Sequence, residues 1–366
     1  MPDDHALAVA LDVGPLVGPP TGIGRFTAEL QRHLNARPDV AVLPYVLSFR
    51  ADLPDGSRRL RYPARLALSL WARHNWPTAR GALRGADVVH GTNYVVPPTG
   101  WPTVVSVHDL SLFERPDLVR PVVRSFGEVI RRAVGRGAFV HTISHAVARE
   151  AATLLGTDRV RVVYPGPTHD ARQAPGPLPI ELAGQPFILA IGTREPRKNL
   201  PRLIRAFETV ATSEPDLLLV LAGGAGSDDH AIGEAIAALP ASVATRVHLL
   251  GYVDDATRAA LFTSAQAFAY PSLDEGFGLP LLEAMHFGVP IVASTAGAIP
   301  EVTAGAALLV DSGDTPGLAQ ALDTALHDVA MRRALVTSGQ HRCTAFSWTA
   351  SAEHMVGLYR EVRESS

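Results

Sequence analysis

The chain has 366 residues, 47% of them hydrophobic and 19% charged, which excludes a disordered protein and predicts two folded domains. Its single cysteine, Cys343, excludes a disulfide framework and a cysteine-rich metal site and indicates a reducing compartment. The net charge is −3, but residues 1–175 carry 21 arginines against 15 acidic residues, so the first half favours an anionic partner. An anionic membrane surface or a phosphorylated substrate fits better than nucleic acid, because no nucleic-acid-binding motif is present.

The first half of the chain alternates short apolar runs with helical patterns. The acidic start of residues 1–14 lacks the basic region of a signal peptide, and no run reaches the 18 apolar residues of a membrane span, so a cytoplasmic protein is expected. Helices are predicted at 24–35 and 122–134. The predicted strands are 7–14, 40–46, 87–91, 103–109, 139–144 and 160–166. Such alternation predicts a parallel sheet covered by helices on both faces.

A second unit of the same kind follows a segment rich in Pro, Gly and Ala at 170–186, which predicts a domain boundary. The predicted strands after it are 187–193, 217–224, 247–253, 267–272, 290–294 and 307–311. Helices are predicted at about 199–212, 229–238, 255–263 and 279–287. The sequence therefore predicts α/β architecture with two doubly wound parallel-sheet domains facing a ligand cleft. Their predicted bounds are 1–172 and 187–345, with a linker at 173–186.

The densest functional pattern is "PSLDEGFGLPLLEAMHFGVPIVAS" at 271–294. The glycines Gly276 and Gly278 lie between a predicted strand end and a predicted helix start, where free backbone N–H groups can bind a phosphate. Glu275 is expected to point into the cleft from this loop, and Glu283 to lie further along the helix. Taken alone, Glu283 could equally complement the helix dipole, and the glycines could serve only the turn.

This stretch resembles the E-x7-E region of retaining glycosyltransferases of family 4, which have the GT-B architecture of two Rossmann-like domains. Glu275 and Glu283 match the two glutamates of that region. The resemblance covers essentially the whole chain and implies that a final helix within 346–366 crosses back to the N-terminal domain. The other matching strings are "GPPTGIGRF" (18–26), "VVSVHDLSLF" (104–113), "VVYPGP" (162–167), "IGTREPRKNL" (191–200) and "FSWTASAE" (346–353).

The chain contains one lysine, Lys198, among 33 basic residues. By itself this residue could be a survivor of compositional drift toward arginine. The resemblance implies that Lys198 contacts the diphosphate of a nucleotide-sugar donor and stabilises charge on the leaving group. The family usually adds an arginine directly after the strand glycine, where this chain has Thr193. Arg194 is expected to take that role, and Arg197 is the alternative.

The remaining donor-binding residues follow from the same resemblance. Gly22 and Gly24 are expected to cradle phosphate, and the segment Gly276–Leu279, with Phe277 and Gly278 inside it, is expected to bind the donor together with Glu283. The G-x-G pattern lacks the third glycine of a dinucleotide fingerprint, which argues against the alternative of an NAD-dependent oxidoreductase. A non-catalytic glycan-binding relative is a second alternative.

Four residues of the N-terminal domain are expected to face the cleft. His108 follows a predicted strand, and the resemblance implies that it contacts the donor sugar. Asp109, His90 and Asn93 are expected to meet the acceptor, although a loop-stabilising role for His90 and Asn93 is equally open. The Asp pair in 253–255 is expected to cap a helix and not to bind a metal.

The sequence thus predicts transfer of a hexose from a nucleoside-diphosphate sugar to a hydroxyl of a glycan or lipid-linked acceptor, with no cofactor and no metal. GDP-mannose is favoured over UDP-glucose as donor because several strings resemble the mannosyltransferase-like branch of the family. The helical pattern at 63–77, with the basic residues at 58–61 before it, predicts either a peripheral contact with the inner face of the plasma membrane or a core helix with one exposed edge.

Overall fold

The computed structural model describes residues 6–18, 21–110, 113, 121–167 and 175–365, with the side chains of 121–124 left out. Two compact units make up the chain: the first comprises Met1–Thr168 and Phe346–Ser366, and the second His169–Ala345. The described residues do not include the first residues of the predicted linker, 173–174, or parts of the strings at 18–26 and 104–113.

The first unit is built on a parallel sheet of seven strands in the order β3-β2-β1-β4-β5-β6-β7. The strands are Leu7–Asp12 (β1), Val40–Leu47 (β2), Arg58–Leu60 (β3), Val88–Gly91 (β4), Thr103–Val107 (β5), Phe139–Thr142 (β6) and Val160–Val162 (β7). The helices are Gly22–Asn35 (α1), Ala64–Trp71 (α2), Pro121–Gly135 (α3) and His145–Leu155 (α4). Strands β4, β5 and β6 are buried throughout, as expected for central strands covered on both faces.

The second unit has a parallel sheet of six strands in the order β10-β9-β8-β11-β12-β13. The strands are Phe187–Ile191 (β8), Leu218–Ala222 (β9), Val247–Gly251 (β10), Ala267–Tyr270 (β11), Ile291–Ser294 (β12) and Leu308–Val310 (β13). The helices are Leu200–Ala211 (α5), Asp229–Ala237 (α6), Ala241–Ala244 (α7), Asp255–Ser264 (α8), Leu279–His286 (α9), Ile299–Thr303 (α10), Thr315–His327 (α11) and Val329–Cys343 (α12). Helix α5 buries its apolar stripe on the sheet and contributes much of the core.

The last helix, Trp348–Glu364 (α13), belongs to the first unit and packs beside α1. Its start is fixed by Ser347, whose side chain accepts a hydrogen bond from the Ala350 N–H. Trp348 donates its indole N–H to the Pro167 carbonyl at 2.9 Å, and Glu361 pairs with Arg161 at 2.5 Å. These contacts attach the C-terminal segment to the first sheet across a long sequence separation.

The architecture confirms the predicted fold class of two Rossmann-like parallel-sheet units, and every predicted strand is present. Strand β3 was not predicted, because a short arginine-rich edge strand carries no apolar run. The predicted helix at 63–77 was too long: α2 ends at Trp71, whose indole N–H donates to the Pro77 carbonyl as the chain folds back. No helix among the described residues is long and apolar enough to cross a membrane.

Candidate functional site

The loop that carries Lys198 leaves the carboxyl end of β8 and is held by backbone geometry. Gly192 has φ of 154°, and Asn199, just before α5, has φ of 55° in the left-handed region. The side-chain amide of Asn199 donates to the carbonyls of Pro271 and Ser312, each at 3.0 Å. These bonds secure the short helical turn Pro196–Lys198 against the segment that follows β11.

Lys198 lies at the centre of a cluster of polar side chains in the second unit. Its Nζ donates to Glu275 Oε1 at 2.6 Å and to the Tyr270 hydroxyl at 3.0 Å. The ammonium also lies 4.8 Å from the centroid of the Tyr270 ring, within the range of a cation–π interaction. Only 12% of the lysine side chain is exposed, so these interactions act in an environment of low dielectric constant.

Glu275 is shared between two cations. Its Oε2 lies 2.8 Å from Arg197 Nη1, while Lys198 takes Oε1. Burial alone raises the pKa of Glu275, but Lys198 and Arg197 outweigh burial and hold that pKa at about 2. Burial lowers the pKa of Lys198, and Glu275 partly offsets this effect. We assign the cluster as ionised at neutral pH, with two positive groups on one carboxylate.

The backbone of Glu275 is fixed as firmly as its side chain. The Ala298 N–H donates to the Glu275 carbonyl at 2.8 Å, and a Cβ at Gly297 would lie 2.3 Å from that oxygen. Arg197 also donates to the Asp274 carbonyl at 2.9 Å. The Glu275 loop and the Lys198 loop are therefore joined by side-chain and backbone bonds into one rigid constellation.

Helix α9 begins immediately after this loop. Gly278 is its N-cap with φ of 93°, and among the described residues no N-cap side chain bonds its first turn. Pro280 has no N–H and the Leu281 N–H donates to the Gly278 carbonyl at 2.8 Å, so the donors that this helix start can offer a ligand are those of Leu279 and of the loop before it. Gly276 is buried beside it. Phe277 is also buried, so its ring belongs to the core and only its backbone can serve a ligand. Leu279 is the first helical residue, with Pro280 next to it as the sequence pattern predicts.

The two candidate arginines make different contacts, and the donor-binding role expected of Arg194, which lines the same small cavity as Lys198, stays a prediction. Arg194 pairs with Asp229 at the start of α6, with 2.7 Å between Nε and Oδ1. Arg197, the alternative, is the arginine that contacts Glu275. The reason is the path of the loop: the Arg194 carbonyl accepts from the Asp228 N–H at 3.0 Å, which directs this residue toward α6.

Glu283, which is expected to bind the donor, lies buried beside α8. Its side chain is 1% exposed, and both carboxylate oxygens bond Arg258 of α8. No sequence pattern indicates this pairing, because α8 and α9 are separate elements with no shared motif. Glu283 holds Arg258 in place, and its role in donor binding stays a prediction.

In the first unit His108 follows β5 and is almost fully buried. Its Nε2 lies 2.8 Å from the Thr92 carbonyl, so this nitrogen carries the proton and Nδ1 is left as an acceptor. Burial lowers the pKa of His108, against smaller raising effects from Thr92 and Asp109. A neutral imidazole of this kind can accept a hydrogen bond from a sugar hydroxyl.

The expectation that His90 meets an acceptor needs correction. His90 is fully buried, with Nδ1 at 2.7 Å from the Tyr359 hydroxyl and Nε2 at 2.8 Å from Ser106 Oγ. Burial holds its pKa well below the ordinary value, so the ring stays neutral. Both nitrogens are occupied, and His90 acts as a bridge between β4, β5 and the last helix.

The other sequence-predicted residues of the first unit lie on loops after strands. Asn93 follows β4, and the Asp109 N–H donates to the Tyr94 hydroxyl at 3.0 Å. Gly22 begins α1, and the Gly24 N–H is taken by the side chain of Thr21, the N-cap. Only the Gly22 end of this turn therefore remains open for a ligand.

The aspartates after β10 cap a helix, as predicted. Asp254 is the N-cap of α8, and its side chain accepts from the Thr257 N–H at 2.8 Å. Among the described residues no group of three or more His, Cys, Asp or Glu side chains could hold a metal ion.

Comparisons with known proteins agree with this fold. The family model "Glycosyl transferases group 1" matches residues 180–342, and "Glycosyltransferase Family 4" matches residues 20–170. The chain is 28% identical over 376 residues to the O-antigen chain mannosyltransferase B of Escherichia coli, covering 94% of this chain and 97% of that protein. It is 31% identical over 301 residues to the MMP alpha-(1->4)-mannosyltransferase of Mycolicibacterium hassiacum, covering 75% of this chain and 70% of that protein.

A solved structure shares the fold over the whole length. The Anabaena protein HepE, in complex with UDP and glucose, matches with a TM-score of 0.73 at 17% identity, covering 98% of this chain and 100% of that chain. The fold and the ion-paired loops thus define a glycosyltransferase enzyme of the GT-B type. The chain belongs to glycosyltransferase family 4, as the sequence motifs predicted.

Proposed function

We propose that this enzyme transfers mannose from GDP-mannose to a hydroxyl of a glycan or lipid-linked acceptor, with retention of the anomeric configuration. The observation that carries this proposal is the cluster of Lys198, Arg197 and Glu275 beside the uncapped start of α9. Two cations meet here in a nearly buried position beside Glu275, and the more exposed Glu195, 3.9 Å from Arg197, offsets part of their charge. A diphosphate is the part of the donor that such a position attracts.

The chemical role of the cluster follows from where charge develops. When the bond between the sugar and the diphosphate breaks, negative charge accumulates on the leaving phosphate. Lys198 and Arg197 would stabilise that charge, and the N–H groups at the start of α9 would add to it. Glu275, within 2.6 Å of Lys198, would contact the sugar on the same side, because its carboxylate is fixed next to the phosphate-binding groups.

The choice of mannose is supported by relatives and not by a base-recognising residue of this chain. Two of the similar proteins are named as mannosyltransferases. The solved HepE complex contains UDP and glucose, so UDP-glucose is the competing donor for the same chemistry. His108, whose Nδ1 has no hydrogen-bond partner among the described residues, would accept a hydrogen bond from the transferred sugar in either case.

A donor screen tests the proposal. The purified enzyme is incubated with GDP-mannose, GDP-glucose, UDP-glucose and UDP-galactose, and melting temperature and slow hydrolysis of the donor are recorded. We expect the largest thermal shift and hydrolysis rate with GDP-mannose, and loss of hydrolysis in Glu275→Gln. The control is Glu234→Gln on helix α6, whose side chain is 71% exposed; this variant should behave as wild type. Absence of hydrolysis with every donor contradicts the proposal.

The proposal extends to peripheral binding at the inner face of the plasma membrane. Leu66 is 56% exposed on α2, and Trp76, in the segment after it, is 66% exposed. The arginines at 61, 65 and 73 are exposed around them. Apolar side chains among basic ones suit an anionic bilayer surface. The enzyme should sediment with vesicles of phosphatidylglycerol and not with vesicles of phosphatidylcholine. Trp76→Ser should lower the fraction that sediments. Equal binding to the two kinds of vesicle contradicts this extension.

A further inference from the structure

A cavity of about 180 Å³ lies in the first unit, at the carboxyl ends of neighbouring strands. Its floor is formed by the last residues of β1, β2 and β3, namely Asp12, Leu47 and Leu60. Trp71 and Phe126 from the helices cover it on the apolar side. The cavity is smaller than the roughly 300–1,000 Å³ of sites for drug-sized ligands, so its dimensions suit one small ring.

Asp12 is held so that one carboxylate oxygen is available. The Gly14 N–H donates to Asp12 Oδ1 at 2.9 Å, and a Cβ at Gly14 would lie 3.0 Å from the same oxygen. Among the described residues Oδ2 has no hydrogen-bond partner. Burial raises the pKa of Asp12 to about 7, and the Gly14 N–H opposes that rise. A carboxyl group kept in an unfavourable environment is common at functional positions.

The loop that presents Asn93 to the cavity is anchored to the same strand end. Thr92 Oγ1 donates to the Asp12 carbonyl at 2.7 Å, and the Tyr94 N–H donates to the Ser106 carbonyl at 2.9 Å. Tyr94 has φ of 60°, a left-handed conformation that costs free energy in a residue other than glycine. The hydrogen bonds hold this strained residue, and with it they fix Asn93 next to Asp12.

We propose that this cavity binds a neutral sugar unit of the acceptor, with Asp12 and Asn93 hydrogen-bonding its hydroxyl groups and Trp71 and Phe126 packing against its C–H face. The inference rests on the proposed transferase function, because it assigns the acceptor of that reaction. The carboxylate and the amide supply the few polar groups that orient a ligand in a mostly apolar site.

The charge of the cavity selects against an anionic ligand. Among its described lining residues none is Lys, Arg or His, although the first half of the chain is rich in arginine. An acceptor phosphate or carboxylate placed here would face Asp12 without a cation to balance it. The cavity therefore favours a neutral hexose over a phosphorylated sugar or polyol.

The test uses the full chain and simple sugar probes without a donor. Methyl glycosides of mannose, glucose and galactose are titrated into the enzyme, with mannose 6-phosphate as the anionic probe, and binding is followed by saturation-transfer NMR. We expect saturable binding of at least one neutral glycoside. At pH 8, above the pKa of about 7 that burial gives Asp12, Asp12→Asn should weaken that binding about tenfold or more, since a hydrogen bond to a charged acceptor is lost. Asp52→Asn, an exposed aspartate of the same unit, is the matched control and should change nothing.

A structural role for Asp12 would predict a different pattern. Removal of a carboxyl group that burial disfavours should not lower the melting temperature, so weakened binding in a stable variant supports recognition. The assignment is overturned if no neutral glycoside binds, if Asp12→Asn binds as wild type does, or if mannose 6-phosphate binds more tightly than the neutral sugars. Binding of GDP is measured in parallel: if GDP fails to bind while the sugar pattern holds, the proposed donor is wrong and the cavity assignment stands.

Discussion

Replacing the single lysine by arginine, Lys198→Arg, tests whether this position needs an ammonium group or only a positive charge. Lys198 Cε lies 3.0 Å from the position that a Cβ at Gly192 would occupy, so the end of the side chain runs close to the backbone. The ammonium is bounded by Glu275 at 2.6 Å and the Tyr270 hydroxyl at 3.0 Å. The void beside it measures about 10 Å³, room for about one water molecule.

A guanidinium brings two more non-hydrogen atoms and a planar shape into this space. Overpacking of a well-filled site costs about 1–3 kcal/mol. If the head group moves outward instead, a displacement of about 1 Å near the reacting atoms costs about a hundredfold in rate. We therefore expect Lys198→Arg to lose about one to two orders of magnitude in kcat/KM. Lys198→Ala should lose about 10²–10³ in kcat or more, since it removes the charge entirely.

The assay is donor hydrolysis or transfer over a range of donor concentrations, with melting curves to show that the variants fold. Arg205→Lys, an exposed position on α5, is the matched control for exchange of the two basic residues. The loss should appear in donor KM as well as in kcat, because the diphosphate is charged in both the ground state and the transition state. Wild-type kcat and KM in Lys198→Arg would refute the reasoning.

Three further predictions follow from described contacts. Glu283→Gln should lower the free energy of unfolding by about 1–3 kcal/mol in urea titrations, because it removes the carboxylate that pairs with the partly buried Arg258; an unchanged midpoint contradicts this. Activity should persist in excess EDTA, and loss that Mn²⁺ restores contradicts a metal-free site. Because the pKa of Asp12 is raised to about 7, the folded state retains this proton up to about pH 7, and wild-type stability should fall between about pH 4 and 7. The Asp12→Asn variant lacks this loss, so its melting temperature should exceed that of wild type by an increasing amount over the same range. A constant difference contradicts the assignment.

The fold was predictable because its signals are local. Each strand of the two sheets except β3 is a largely apolar run, and each cap, such as Ser347 and Asp254, lies next to the helix it begins. Those patterns require no knowledge of distant residues. The glycine turn before α9 was recognisable for the same reason, since its glycines and Pro280 occupy fixed positions around one helix start.

The pairing of side chains in the site was not predictable, because it depends on how loops from different strands meet. Arg197 contacts Asp274 and Glu275, which are 77 and 78 residues away in the sequence. Arg194 is directed toward α6 by backbone bonds to the loop after β9. The Glu283–Arg258 pair and the Tyr270 contact with Lys198 likewise join separate elements. Asp12 carried no motif beyond its position at a strand end, and only the cavity around it marks it as a candidate.

The most direct measurement of the central claim is the configuration of the sugar that the enzyme releases from GDP-α-mannose. Water serves as the acceptor, so the natural acceptor need not be known, and proton NMR follows the anomeric signals before mutarotation mixes them. The account predicts that wild-type enzyme forms α-mannose first and that Glu275→Gln forms none. Initial release of β-mannose, or no release by wild-type enzyme, would contradict it.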